Sequence, residues 1–285
     1  MAACALALIR LAALARPTAV GAAVASSSPP PASAQLAVDG LESGACMSYP
    51  AKGRSAATVF IDPGHGGLDP GVVGSAGGKQ VSEKQATLAV AIDLENLLRA
   101  DGYRVVMART LDSTVTVLSP ADSVYGSLTA DAAHRDLITR VACANASNAA
   151  VLVSIHFDGF DDPTVGGTET FYDAARSFAA DNKRLASDLQ SALVASLGTY
   201  DRGVWSDDQL ANPALTSTGN AYGHLIELGP ASAGWVDAPS AMPGALVEPL
   251  FITDPKEAAI AVDPAGQLTM ARAMEAGLLK YLNGA

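Results

Sequence analysis

The sequence predicts an α/β fold, a single domain with a mainly parallel central sheet flanked by helices. Three observations carry this expectation. Apolar runs of strand length at residues 58–61, 103–108 and 150–155 alternate with longer stretches of helical periodicity. The first run passes into Asp62-Pro63-Gly64, as a buried strand does when it ends in a loop. The third, ending VLVSI, is apolar without alternation, which suits a strand covered on both faces. Strands alternating with helices in this way build a mostly parallel sheet.

In chain order, residues 1–34 mix a modest apolar stretch with Arg10 and Arg16 and end in small residues. They read as a secretory signal, with a disordered tail as the competing reading. Residues 35–55 are rich in Ser, Pro, Ala and Gly and read as a linker or weakly ordered arm, so the folded domain is expected to occupy residues 56–285. Ser82 followed by Gln85 forms a capping-box pattern opening a helix that runs through Leu88, Ile92, Leu97 and Leu98 to a stop near Gly102. Further helices are expected at residues 132–147, 178–197 and 267–282, and further strands at 168–172, 224–228 and 245–247. Residues 111–130 are polar and loop-like, an insertion beside whatever site the domain carries.

A formal net charge of -11 argues against a nucleic-acid partner and against electrostatic adhesion to anionic membranes or wall polymers. No stretch beyond the start is long and apolar enough to span a bilayer. Cys4 would leave with a signal, so Cys46 and Cys143 remain. They could pair in an oxidising compartment, but two cysteines in a chain of 285 residues are more often independent buried thiols. Neither lies in a CxxC pair, so a thiolate zinc site or a redox motif finds no support.

Ligands of open α/β sheets bind outside the carboxyl ends of the strands. His65 follows the first strand in FIDPGHGG, His156 follows VLVSI, and Glu83 opens the first long helix. Two imidazoles and a carboxylate from separate elements make a His2Glu set, which leaves a fourth tetrahedral position open. Taken singly, each has a plainer reading: a histidine hydrogen-bonding in a loop, a glutamate favoured in a helix's first turn. Other chemistries fail on spacing. The glycines of the first loop do not complete GxGxxG, Gly78-Lys79 lacks the rest of a P-loop, and no GxSxG elbow occurs.

The runs VFIDPGHGGLDPGVVG, SEKQATLAVAIDLENLLRADGYRVVMART and RVACANASNAAVLVSIHFD, with MPGALVEPLFITDPKEA near the end, resemble the Amidase_3 type of N-acetylmuramoyl-L-alanine amidase in order and spacing. The resemblance covers nearly all of residues 58–283. It implies Zn2+ bound by His65, Glu83 and His156, a peptidoglycan or muropeptide substrate, and hydrolysis of the amide between N-acetylmuramic acid and L-alanine. It implies an extracytoplasmic place of action, in the cell wall or periplasm. It also implies a glutamate near the C-terminal end as catalytic base, for which Glu248 and Glu227 compete.

Pro243, Phe251, Thr253, Asp254 and Glu257 fall at the family's offsets around Glu248, which is therefore preferred. Leu250 and Asp254 replace the family's usual glycine and asparagine there, and Asp158 replaces an asparagine after the SIH motif. Glu227 would be a strand-end carboxylate. Arg109 and Asp112 match a recurrent RxxD element, plainly read as a structural ion pair, and Arg140, Ala144 and Asn145 match a packing helix. His134 and His224 fit no ligand spacing and read as surface or loop residues. Alternatives to the amidase are another zinc amidohydrolase or carboxypeptidase, and a noncatalytic wall-binding or regulatory protein on the same fold.

Overall fold

The computed structural model describes residues 32–54, 56–210 and 222–284. Residues 1–31 of the expected signal lie outside the described residues. The chain begins with β1 (Ala34–Gln35), β2 (Ala45–Tyr49) and β3 (Thr58–Pro63), followed by a hairpin of β4 (Val73–Ala76) and β5 (Lys79–Ser82). Helix α1 (Glu83–Ala100) leads into β6 (Arg104–Arg109), then a hairpin of β7 (Ser123–Val124) and β8 (Ser127–Leu128). Next come α2 (Ala130–Ser147), β9 (Val151–Ile155), β10 (Thr168–Tyr172), α3 (Ala179–Leu197) and β11 (Asp201–Ser206). The last elements are β12 (Gly244–Glu248), α4 (Pro255–Val262) and α5 (Pro264–Leu282).

Among the described residues, eight strands form one sheet in the order β1-β2-β6-β3-β9-β12-β10-β11. The central pairs β6/β3, β3/β9 and β9/β12 are parallel, as is β10/β11, while β1/β2, β2/β6 and β10/β12 are antiparallel. Alternate side chains of each strand feed opposite faces. Val59, Ile61, Val105, Met107, Val151 and Val153 pack with α1, α3 and α5 on one side. Phe60, Val106, Ala108 and Leu152 point the other way, toward Cys143 and Ala144 of α2. Burial on both faces explains why these strands show as continuous apolar runs.

Four expectations need correction. Residues 34–49 are not a loose arm: β2 pairs with β6 at the sheet's edge, and local composition hid a strand stabilised by its partner. Cys46 of β2 and Cys143 of α2 are not independent thiols but form a disulfide, across a sequence separation of 97, with Cα atoms 5.6 Å apart. Residues 224–228 form turns instead of a strand. Leu228 and Gly229 donate their amides back to the Leu225 carbonyl, and the apolar side chains of Leu225, Ile226 and Leu228 serve burial, not sheet pairing. Ser82 stands at the N-cap of α1 but its side chain caps nothing. The amides of Glu83 and Lys84 are taken instead by the carbonyls of Val72 and Pro70, in the loop that the β4/β5 hairpin closes.

The bridge ties β2 to the helix covering the sheet, and a cross-link over so long a loop restricts the unfolded chain strongly. Reduction, or the Cys46→Ser/Cys143→Ser pair, is expected to lower unfolding stability by roughly 2–4 kcal/mol. Urea unfolding with and without reductant checks this.

Candidate metal centre

Parallel pairing of β3 with β9 sets Pro63 opposite Ile155, so the residues leaving these strands emerge side by side. Gly64 donates its amide to Ile155 O, and His156 donates its own to Val247 O of β12. His65 Nε2 lies 3.1 Å from His156 Nδ1 and 3.0 Å from Glu83 Oε1, and His156 Nδ1 lies 2.9 Å from that same oxygen. Three ligand-type atoms from two strand ends and a helix start therefore face one point. The backbone makes room for them. A Cβ on Gly64 would sit 2.3 Å from the His156 ring, and one on Gly71, at φ +65°, would sit 2.4 Å from Glu83 Oε2. Neither position has room for a side chain.

Each of the three is held from behind. His65 Nδ1 meets Asp69 Oδ2 at 2.8 Å, and Asp69 Oδ1 accepts the Gly71 amide, so the ring's other nitrogen is left facing the cluster. Glu83, almost fully buried, accepts the Val72 amide on Oε2 and the Phe157 amide on Oε1. Burial disfavours both charges, yet the contacts prevail. Hydrogen bonds to Asp69 and Glu83 lift His65 to about 9 against desolvation. The two histidines hold the Glu83 carboxyl far below its ordinary value, again against burial.

Beneath the histidines lies a buried ionic network on the α2 face. Arg140 donates to Asp62 at 2.6 Å, to Asp136 at 3.0 Å and to the carbonyls of Pro63 and His65. Burial raises Asp62, but the Arg140 charge outweighs it and brings the carboxyl down to about 2. Arg109 does not pair with Asp112. Its guanidinium donates to the carbonyls of Pro63, Gly64, Lys84 and Leu111 and to Thr87 Oγ1, bracing the histidine loop, while Asp112 takes Lys84 and the Gly67 amide. A cavity of about 210 Å³ opens here, lined by His65, His156, Asp62, Arg140, Glu227 and, from the 111–130 segment, Leu128.

Both candidate bases approach the cluster, from different sides. Glu248 ends β12 one residue beyond the Val247–Ile155 register pair. Its Oε2 has no hydrogen-bond partner among the described residues. Burial, then the charges of Glu83, Asp158 and Glu169, push its carboxyl well above the ordinary value. Glu227 sits in the turn, not at a strand end. It accepts from Ser154 Oγ at 3.1 Å, and burial followed by the Asp62 charge raises it too. Asp158, raised to about 8 by burial and by its hydrogen bond with Glu169, adds to the carboxylates around Glu248.

Sequence reasoning did not single out Asp69 as the residue orienting His65. The signal was available, since an acid four residues after a histidine in a glycine-rich turn can fold back onto the ring. His134, on α2, bonds the Trp235 carbonyl. His224 lies in the turn, between Asp173 and Asp207.

The class is thus an α/β domain with a two-histidine, one-carboxylate cluster at the carboxyl edge of a mostly parallel sheet. The chain belongs to the Amidase_3 family, described as N-acetylmuramoyl-L-alanine amidase, whose model matches residues 59–280. It is 30% identical over 224 residues to the N-acetylmuramoyl-L-alanine amidase LytC of Bacillus subtilis, covering 79% of this chain and 35% of that protein. Similarity to AmiC of Neisseria meningitidis is 30% over 253 residues, 82% of this chain and 55% of the relative. The chain therefore spans less than two thirds of the length of these relatives. The CwlD amidase from Clostridioides difficile, solved in complex with the GerS lipoprotein, matches with a TM-score of 0.61 at 25% identity, over 80% of this chain and 100% of that one.

Removing Arg140 leaves Asp62 and Asp136 buried without their countercharge. Arg140→Met is expected to cost about 3–5 kcal/mol of stability in denaturant titration. In the intact protein the Asp62 carboxyl is depressed from 3.8 to about 2, so its contribution is full above pH 3.8 and is lost as pH falls toward 2. Arg140→Met should show a shallower acid limb over that window.

Proposed function

We propose that the chain is a zinc-dependent N-acetylmuramoyl-L-alanine amidase acting outside the cytoplasm on peptidoglycan or muropeptides, with a catalytic domain that takes in strands β1 and β2, paired into its sheet, together with residues 56–285. The observation that carries the reading is the convergence of His65 Nε2, His156 Nδ1 and Glu83 Oε1 within 3.1 Å of one another. The donor set fits Zn2+: two imidazoles and one carboxylate bind it while leaving a position for water. The Gly64 and Gly71 backbones, where any side chain would fill the cradle, fit it as well. A zinc ion bound there supplies Lewis acidity, lowering the pKa of water toward 7 and polarising a carbonyl.

The residues of the chain supply the rest. Asp69 fixes the His65 tautomer so that Nε2 faces the centre. Amides from Val72 and Phe157 hold Glu83 rigid. Glu248, whose carboxyl is raised by burial and neighbouring acids, suits a group that takes a proton from the attacking water and returns it to the leaving L-alanine amine. The disulfide between Cys46 and Cys143 supports an oxidising compartment, in line with the secretory reading of residues 1–34. A second reading of the base rests on Glu227, which lines the cavity beside His65 and His156.

The two are separated by paired variants. Glu248→Gln is expected to keep its zinc and lose about 10²–10⁴-fold in turnover of purified peptidoglycan, read as freed L-alanine amino groups without new reducing ends. Glu227→Gln should retain most activity, and the reverse ranking would transfer the role to Glu227. Asp69→Asn should weaken zinc binding about 10–100-fold in a chelator competition, with the fold intact by circular dichroism.

A further inference from the structure

Beyond the amidase centre, and independent of it, we infer that Asp173, Asp207 and His224 form a second, structural site for a divalent transition-metal ion such as Zn2+ or Mn2+. Tyr172 of β10 and Ser206 of β11 are register partners in a parallel pair, so the next residues, Asp173 and Asp207, leave the sheet side by side. Both are fully buried. The turn at residues 222–228 brings His224 over them, with Nδ1 at 2.8 Å from Asp173 Oδ2 and 3.3 Å from Asp207 Oδ1. One ligand atom from each of the three lies within 4.8 Å of the others.

The outer oxygens are already spoken for. Asp173 Oδ1 accepts the Ala175 amide and Asp207 Oδ2 accepts the Leu225 amide, which aims Asp173 Oδ2 and Asp207 Oδ1 inward at the imidazole. Asp173 Oδ2 has no hydrogen-bond partner among the described residues, although His224 Nδ1 is close, because the contact lacks hydrogen-bond geometry. One ring nitrogen carries at most one proton and cannot satisfy two buried carboxylates at once. Arg176 is near, but its guanidinium donates to the carbonyls of Leu228, Gly229 and Ser240 and to Ser240 Oγ.

A dication would neutralise both carboxylates and take the imidazole lone pair. Mixed carboxylate and imidazole donors suit Mn2+ and Zn2+ better than Mg2+ or Ca2+. The ion would clamp the turn to the ends of β10 and β11. Residues 225–227 of that turn line the cavity beside His65 and His156, so the clamp fixes one wall of the candidate active site.

The test is a metal count on the full chain, stripped with chelator and dialysed against Zn2+ or Mn2+. Wild type is expected to hold two ions, His65→Ala/His156→Ala one, and Asp173→Asn/Asp207→Asn one. In the His65→Ala/His156→Ala protein, amides at residues 222–229 should exchange at least about tenfold more slowly once the metal is added. A wild type that holds a single ion and loses it in the His65→Ala/His156→Ala protein overturns the proposal, as does a His65→Ala/His156→Ala protein that holds none and shows no slowing. If the aspartate variant fails to fold, the wild-type count and the histidine variant still decide. Loss of the amidase centre alone would leave the second ion in place, so failure of one reading is distinguishable from failure of the other.

Discussion

His65 and His156 are 91 residues apart in the chain, and they meet because β3 and β9 pair in parallel with Pro63 opposite Ile155. Everything at the site follows from that register. A slip of one residue would turn Asp62 and Ser154 off the α2 face and carry Arg140's partner away from it. The correct register instead stacks Ser154 Oγ on Asp62 Oδ2 at 2.9 Å, with Arg140 closing the network. The apolar residues of the same strands alternate between the two cores, so burial on both faces enforces the register that places the histidines.

Helix α1 contributes the third member by a different route. Its first residue is held by the loop that the β4/β5 hairpin closes, not by a side-chain cap, and the carboxylate is left for amides of Val72 and Phe157. The contacts with His65 and His156 then keep this almost fully buried carboxylate ionised, which is the state a cation needs. Glu248 and Glu227, close by, are pushed the opposite way because burial and neighbouring acids outweigh any countercharge. In the proposed reaction, carboxyls held apart in this manner would divide the work of binding a cation and of carrying a proton.

Most of this frame was legible in the sequence. Strands buried on both faces and helices with clear periodicity stood out, and so did His65, Glu83 and His156, because each sits at the end or start of such an element. What was hidden depended on partners far along the chain. β2 is five residues of mixed polarity whose strand character comes from β6 and from the bridge to Cys143. β11 is an edge strand read through β10, and without it Asp173 and Asp207 have no visible relation to His224. The 224–228 segment misled in the other direction, since its apolar side chains answer to the core and not to a strand. Helix α4 did carry local cues, with Asp254 capping the Lys256 amide and Pro255 in the first turn, but its short length left little periodicity to read.

The central claim is that the three converging side chains hold one zinc ion. A crystal of the zinc-loaded protein, measured at wavelengths on either side of the zinc absorption edge, tests it directly. The account predicts an anomalous peak about 2.0–2.2 Å from His65 Nε2, His156 Nδ1 and a Glu83 oxygen. Absence of a peak between these residues, or a zinc there that does not touch Glu83, would contradict it.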